Sequence, residues 1–422
     1  MQRGMLKAFL QNRLPLWLRT LFRRKPTAET KSKSALQVSA LATIEQIFKR
    51  PDSLPESYRR FFLPVPLEDK ELLIGRDEQL ENMEKAFRNW QDGHPTSVAL
   101  IGPQGCGKTS MLNCFQQRQS QNTRILRCEM EERLWSEQLV FTFFCRLFQI
   151  DPSLDNVETL IARLLQAESQ LIVIEGAHNL LLRVIGGRKA AETFMYVVLR
   201  TRQRHFWLLT CRRLPWNNMD RHFGVSRYFS HVMAVDSLSE DRLRVALKLR
   251  LEKCGLQVFF CLSKEEFEQQ QKPEAKQQQK PEANEQGERE DAFYRVVFAN
   301  SGRNFHAALY FLLLCSRYEE NTQSLSLYPP DNLDMAFVKE MDHLHLLTLA
   351  ELAGHGVLST REHEQIFRTV GFQSRIVFEY LEQLNLVEPV VTKNNANEKA
   401  YDLSPLIHHA VTAALEQLNL LY

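Results

Sequence analysis

Val98-Ala99-Leu100-Ile101 runs directly into Gly102-Pro103-Gln104-Gly105-Cys106-Gly107-Lys108-Thr109, with Ser110 next, and this stretch decides how the chain is read. From Gly102 onward it matches GxxxxGK[ST] at every fixed position. The apolar run before it is short and β-compatible, and Thr109 to Phe115 after it carries apolar residues at helical spacing. Strand, glycine-rich turn and helix thus occur in the order a phosphate-binding loop needs. Glycines let backbone N–H groups point inward, the helix start adds positive potential, Lys108 reaches the β- and γ-phosphates, and Thr109 ligates Mg²⁺. The cofactors implied are ATP and Mg²⁺.

A chain of 422 residues, 44% of them hydrophobic, is long enough for two to four domains with real cores. Its 53 basic and 51 acidic residues balance, so an argument for nucleic acid or membrane has to be local. The eight cysteines never fall two or three residues apart, which removes zinc knuckles and CxxC redox pairs and fits reduced thiols in the cytoplasm. No apolar run reaches the ~18 residues of a membrane-spanning helix.

Residues 1–35 hold nine Lys/Arg and one acidic residue, with Leu6, Phe9, Leu10, Leu14, Trp17, Leu18, Leu21 and Phe22 at helical spacing. The stretch reads either as an amphipathic helix on the inner face of a membrane, peripheral contact falling within residues 1–25, or as a basic helix that docks on a partner or stays disordered. A lead-in up to residue 70 follows. Between 97 and 235 strands at 97–101, 124–129, 170–174, 205–210 and 230–235 alternate with helices, which predicts a parallel sheet covered on both faces over a domain of 71–236. A helical lid is expected over 237–335, with helices at 242–253, 291–300 and 303–318. It is interrupted by a disordered insert at 264–292, where Gln-Gln-Gln-Lys-Pro-Glu-Ala occurs twice. Residues 336–422 read as helices at 336–353, 360–369 and 374–386, two short strands at 387–391 and 399–403, and a last helix, a winged-helix pattern. Residues 341–422 hold five Lys/Arg against ten Asp/Glu, which disfavours DNA and favours a protein partner.

Gln170-Leu171-Ile172-Val173-Ile174-Glu175 places a carboxylate at the end of an apolar strand, so Glu175 is the candidate to hold Mg²⁺ through water. The next position, where a second acid would polarise the attacking water, is Gly176, with His178 and Asn179 the nearest polar residues. A positioned base contributes roughly 10²–10⁴-fold, so hydrolysis is expected to be slow. Thr210 ends the fourth strand, where it can sense a γ-phosphate. Arg221 and Arg227, just before the fifth strand, could reach a neighbouring subunit's nucleotide.

Ile74-Gly75-Arg76-Asp77-Glu78, the phosphate loop, the Glu175 strand, Leu209-Thr210-Cys211-Arg212 and Ser226-Arg227-Tyr228-Phe229 together resemble the origin-recognition and initiator branch of AAA+ ATPases and the related STAND ATPases, especially bacterial ones. The resemblance covers about residues 70–320 and, more loosely, the winged helix. It implies an α/β P-loop fold with a five-stranded parallel sheet in order 5-1-4-3-2, a helical lid, adenine near Ile74 and Gly75, and Arg227 at the arginine-finger position, through which the chain could self-associate. Two positions depart from the pattern. Gly176 replaces the catalytic acid, and His306 falls where the lid would present an arginine, with Arg303 the candidate to compensate. The expectation is an ATP-dependent switch, an ATPase with weak turnover at most, that presents a winged helix to a protein. Its rival is a DNA-binding initiator, loader or transposition-type ATPase, and a static nucleotide-stabilised scaffold is the third reading.

Overall fold

The computed structural model describes residues 54–421 apart from 69, 120–122, 152–155, 264–282, 332, 334 and 391–397. The basic N-terminal stretch and the repeats over 269–282 lie outside the described residues. Strands β1 (Ser97–Gly102), β2 (Ile125–Glu129), β3 (Leu171–Glu175), β4 (Phe206–Arg212) and β5 (His231–Ala234) form one sheet in the order β2-β3-β4-β1-β5, every neighbouring pair parallel. Read from the other edge, this is 5-1-4-3-2.

The near-continuous apolar strands follow from burial on both faces. Val98, Leu100, Leu171, Val173, Phe206 and Leu208 point into one core, while Ala99, Ile172, Ile174, Trp207 and Leu209 point into the other. After a short helix α1 (Glu56–Phe62), the first core is covered by α2 (Asp77–Gln91) and α3 (Lys108–Gln119), which bring Phe87, Trp90 and Phe115 against Phe206 and Leu208. The second is covered by α4 (Glu137–Phe148), α5 (Val157–Gln166) and α6 (Gly187–Thr201), with Phe144 stacked on Phe194 at 4.8 Å. Then α7 (Arg213–Phe223) leads to β5 at the sheet edge.

A second body follows, made of α8 (Glu240–Cys254), α9 (Ala283–Ser301) and α10 (Phe305–Leu314). The helix expected at 291–300 begins earlier, at Ala283, so residues 283–292 are helical and not part of a disordered insert. Glu285, Gln286, Glu288 and Arg289 are good helix formers, and Gln286 is fixed by bonding both the N–H and the carbonyl of Phe260. The helix expected over 303–318 stops at Leu314. Beyond it β7 (Ser316–Glu319) and β8 (Ser324–Leu327) form a hairpin, with β6 (Gln257–Phe260) parallel to β8, so the lid carries a small sheet as well as helices.

The C-terminal unit comprises α11 (His343–His355), β9 (Leu358–Ser359), α12 (Thr360–Phe367), α13 (Gly371–Gln383), β10 (Val387–Val390), β11 (Ala400–Leu403) and α14 (His408–Gln417), its strands ordered β10-β11-β9. The helix expected over 336–353 is two pieces, a 3₁₀ turn at Ala336–Glu340 and then α11. Ser359 and Glu362 make a reciprocal capping box at the start of α12.

One apolar core runs through lid and C-terminal unit together, joining Leu243, Phe293, Phe311, Leu349, Phe378 and Ile407. Tyr58 and Phe62 of α1 belong to it, and the Tyr58 hydroxyl donates to the Leu312 carbonyl at 3.1 Å. Among the described residues no helix is long and apolar enough to cross a membrane. None of the eight cysteines forms a disulfide, and seven are buried.

Candidate functional site

A cleft of about 380 Å³ opens at the carboxyl ends of the strands, between the sheet and the lid. Its wall includes Gly105, Cys106, Gly107, Lys108, Thr109 and Ser110 of the loop, Ile74 from the lead-in, Glu175, Thr210, and Phe305 and His306 of α10. Residues that lie more than 200 positions apart in sequence thus meet at one site of ligand size. Gly102 and Pro103 sit at the base of the loop, where their carbonyls accept from Lys108 Nζ at 2.9 and 2.8 Å. Burial lowers the pKa of this ammonium, and the nearby Arg212 adds to the shift. Arg76 stands behind the loop, buried, donating to the carbonyls of Cys106 at 3.0 Å and Asp236 at 2.7 Å. This anchoring role carries no motif of its own.

Thr109 Oγ1 donates to Glu175 Oε2 at 2.8 Å. Both groups are hard oxygen donors at the end of β3 and the start of α3, the donor type a Mg²⁺ ion takes, so the residues fit the metal that the loop implies. The other oxygen of Glu175 is engaged by Arg127 of β2, through Nε at 2.8 Å and Nη2 at 2.5 Å. Glu129, paired in register with Glu175, adds a second carboxylate to the cleft wall. Neither Arg127 nor Glu129 stands out in the sequence, because a charged residue in an edge strand reads as solvated surface.

Gly176 is in the left-handed region at φ +78°, and a Cβ there would lie 3.0 Å from the Met130 carbonyl oxygen. The backbone thus disfavours any side chain where the second acid is expected. Of the two nearby polar residues, Asn179 donates to the Met130 carbonyl at 2.6 Å. His178 lines the cleft, but burial first, then Arg212, Arg133 and Lys108, push its imidazole well below the usual histidine range. It is neutral and weakly basic, unsuited to taking a proton from water at neutral pH.

On the lid side, α10 begins against the loop. Its cap Asn304 donates to the Gln104 carbonyl at 2.5 Å, and the His306 N–H donates to the Gly105 carbonyl at 3.3 Å. Gly105, at φ +74°, permits this approach, since a Cβ would stand 2.3 Å from that of His306. Burial takes the His306 imidazole down to about 4, so it is neutral and brings no positive charge to a phosphate. Arg303 does not fill that role here: it is exposed and outside the cleft wall, held in a turn at φ +60°. A different cation reaches the cleft, Arg250 of α8, which is buried, donates to the Leu72 carbonyl at 3.3 Å and lies 4.5 Å over the Phe305 ring.

Gly75, at φ +72°, turns the lead-in against Leu238 and Arg242 of the lid. Arg227 lies away from the cleft. It donates to the carbonyls of Phe223 at 2.7 Å and Gly224 at 3.1 Å and so caps the end of α7.

The strand that carries Thr210 ends in Arg212, which also lines the cleft and forms a bidentate pair with Asp402 of β11 at 2.9 and 2.7 Å. Two further arginines of the sheet domain reach the C-terminal unit. Arg133 pairs with Glu362 at 2.7 Å and donates to the Val357 carbonyl, and Arg183 pairs with Glu351 at 2.5 Å.

The sheet order and the loop at the end of β1 define a P-loop NTPase domain. Residues 72–208 match the family model described as an AAA ATPase domain. Solved structures similar to the chain include the Aeropyrum pernix ORC1 protein in complex with DNA, at 13% identity over 86% of this chain and 98% of that chain, TM-score 0.40. The Aeropyrum pernix ORC2 protein (ADPNP-ADP complexes) is similar at 13% identity over 85% and 98%, TM-score 0.45. Cdc6p from Pyrobaculum aerophilum is similar at 14% identity over 85% and 98%, TM-score 0.37. Among curated proteins, no sequence matches the chain.

Proposed function

We propose that the chain is an ATP-binding switch with slow or no hydrolysis, whose nucleotide state governs how the lid and a C-terminal winged helix are held against the sheet domain. The observation that carries this reading is Arg212. It stands two residues beyond Thr210, lines the nucleotide cleft and is tied to Asp402 of the C-terminal unit. A change in charge or shape at the phosphates is therefore felt directly by an interdomain ion pair. Because lid and C-terminal unit share one core, they move together, and the ligand shifts the balance only by its differential affinity for the two positions.

Slow turnover is supported by three features already described: Gly176, whose backbone disfavours an acid, a weakly basic His178 and a neutral His306. Thr109 and Glu175 would hold Mg²⁺, which supplies charge neutralisation at the phosphates when bound. A protein partner is supported by α13, whose Phe372 and Ile376, one turn apart, are 73% and 47% exposed on a unit with excess acidic residues. The same acidity counts against duplex DNA, and an absence of duplex binding at low salt would remove that rival. A cytoplasmic location suits the reduced thiols.

The deciding experiment measures ATP binding and turnover side by side for wild type, Lys108→Ala and Glu175→Gln. Binding lost in Lys108→Ala, with little turnover in wild type, is the expected result. An affinity that Lys108→Ala leaves unchanged would refute the site, and rapid wild-type turnover would refute the switch.

A further inference from the structure

Arg127 stands at the metal side of the site with nearly all its donors committed. Its Nε and Nη2 both donate to Glu175 Oε1, and its Nη1 donates to Asn113 Oδ1 at 2.7 Å and Gln116 Oε1 at 2.6 Å, both on α3. The guanidinium is thus held between the end of β3 and the helix that follows the phosphate loop. Glu175 is 14% exposed and Arg127 30%, so their attraction is only partly screened by water. Arginine stays charged at any pH the fold survives, and its planar fork is matched to a carboxylate. In a phosphate-loop site the carboxylate at the end of this strand supplies negative charge to the metal's surroundings. Here that charge is shared with a fixed cation before any metal arrives.

Resting on the reading of the cleft as an ATP site, we propose that Arg127 is a positioning residue that loosens the site's dependence on a divalent cation. By holding Glu175 it keeps the carboxylate aimed at Thr109, and by offsetting its charge it weakens the metal's hold. ATP is then retained mainly by the loop N–H groups and Lys108, with Mg²⁺ an aid and not a condition. A site of this kind keeps nucleotide bound when metal levels fall, which suits a switch better than a turnover enzyme.

The test is the ratio of ATP affinities in excess MgCl₂ and in EDTA, measured by calorimetry on the full chain. For wild type the ratio should be within about threefold, less than ~0.7 kcal/mol of coupling. In Arg127→Gln, which keeps hydrogen bonding but removes the charge, magnesium should raise affinity at least about tenfold. Arg127→Lys keeps the charge but not the planar fork, so its ratio should fall between those of wild type and Arg127→Gln. A merely structural role for Arg127 would lower both affinities and leave the ratio unmoved.

A wild-type ratio of about tenfold or more overturns the proposal, as does a ratio in Arg127→Gln equal to wild type. So does a magnesium response that Glu129→Gln abolishes, because the metal would then be held by the other carboxylate of the cleft wall. The wild-type ratio decides the matter by itself if a variant fails to fold. Tight binding that requires magnesium refutes this inference alone, whereas no ATP binding in either buffer refutes the nucleotide reading and this inference with it.

Discussion

Replacing Asp402 with asparagine tests the tie between the cleft and the C-terminal unit while leaving its shape almost unchanged. The carboxylate meets Arg212 at 2.9 and 2.7 Å, and the two side chains are 9% and 17% exposed. Opposite charges ~4 Å apart in an effective dielectric of ~20 attract by about 4 kcal/mol, and desolvating both ions offsets a large part of that. Exposed pairs contribute up to ~1 kcal/mol, and breaking a fully buried one costs about 3–5, so a coupling of about 2 kcal/mol is expected here. An asparagine side chain at this position would still accept the Leu403 N–H, as Asp402 Oδ1 does at 2.8 Å, so the loss is chiefly one of charge.

The assay is native-state proteolysis of wild type, Asp402→Asn, Arg212→Gln and the double variant, since cleavage of a transiently opened form reports the opening equilibrium. Asp402→Asn should open about 30-fold more readily, and the double-mutant cycle should return a coupling of at least ~1.5 kcal/mol. A coupling under ~0.5 kcal/mol would refute the reasoning. The C-terminal unit would then be held by Arg133, Arg183 and the packing of α7 on α11, with no line from the nucleotide cleft.

Gly176→Glu should not create an efficient ATPase and should cost about 1–2 kcal/mol of stability, because φ +78° and the Met130 carbonyl penalise any side chain; a gain in turnover of about tenfold or more, read by phosphate release, would contradict this. His363 is fully buried between Thr348 and Ser374, at 2.8 Å from each hydroxyl, and burial takes its pKa down to about 4. The unfolded chain therefore binds a proton that the folded one refuses, so His363 contributes stability above pH ~6.5 that is lost as pH falls toward 4. The slope is at most ~1.4 kcal/mol per pH unit, and urea titrations between pH ~7 and pH ~4.5 should show it reduced in His363→Gln.

The nucleotide domain is written plainly in the sequence because its constraints are local. Strands buried on both faces must be apolar along their whole length, as Leu171 to Ile174 are, and a phosphate loop needs its glycines, Lys108 and Thr109 in fixed order. What stays hidden is pairing between residues far apart. Arg212 and Asp402 lie 190 positions apart, and Arg133 and Glu362 lie 229 apart, with nothing local to mark them. The lid's small sheet is missed for another reason: Ser316–Glu319 follows the strongly apolar α10 without a glycine or proline, so the helical pattern runs on into the strand. Arg303 misleads because proximity in sequence to His306 does not place it in the cleft. It sits in the turn before α10, while the buried cation beside Phe305 comes from Arg250, more than fifty positions upstream.

The hydrogen bond from Tyr58 to Leu312 spans 254 residues, and the whole nucleotide domain is enclosed within that span. During synthesis, α1 emerges before the sheet domain but has no core to join until the lid has been made. The intervening domain is complete before then and folds as a unit of its own. The order of assembly is therefore set by connectivity: the sheet domain is finished first, and the core of lid and C-terminal unit closes last, around a helix made before either.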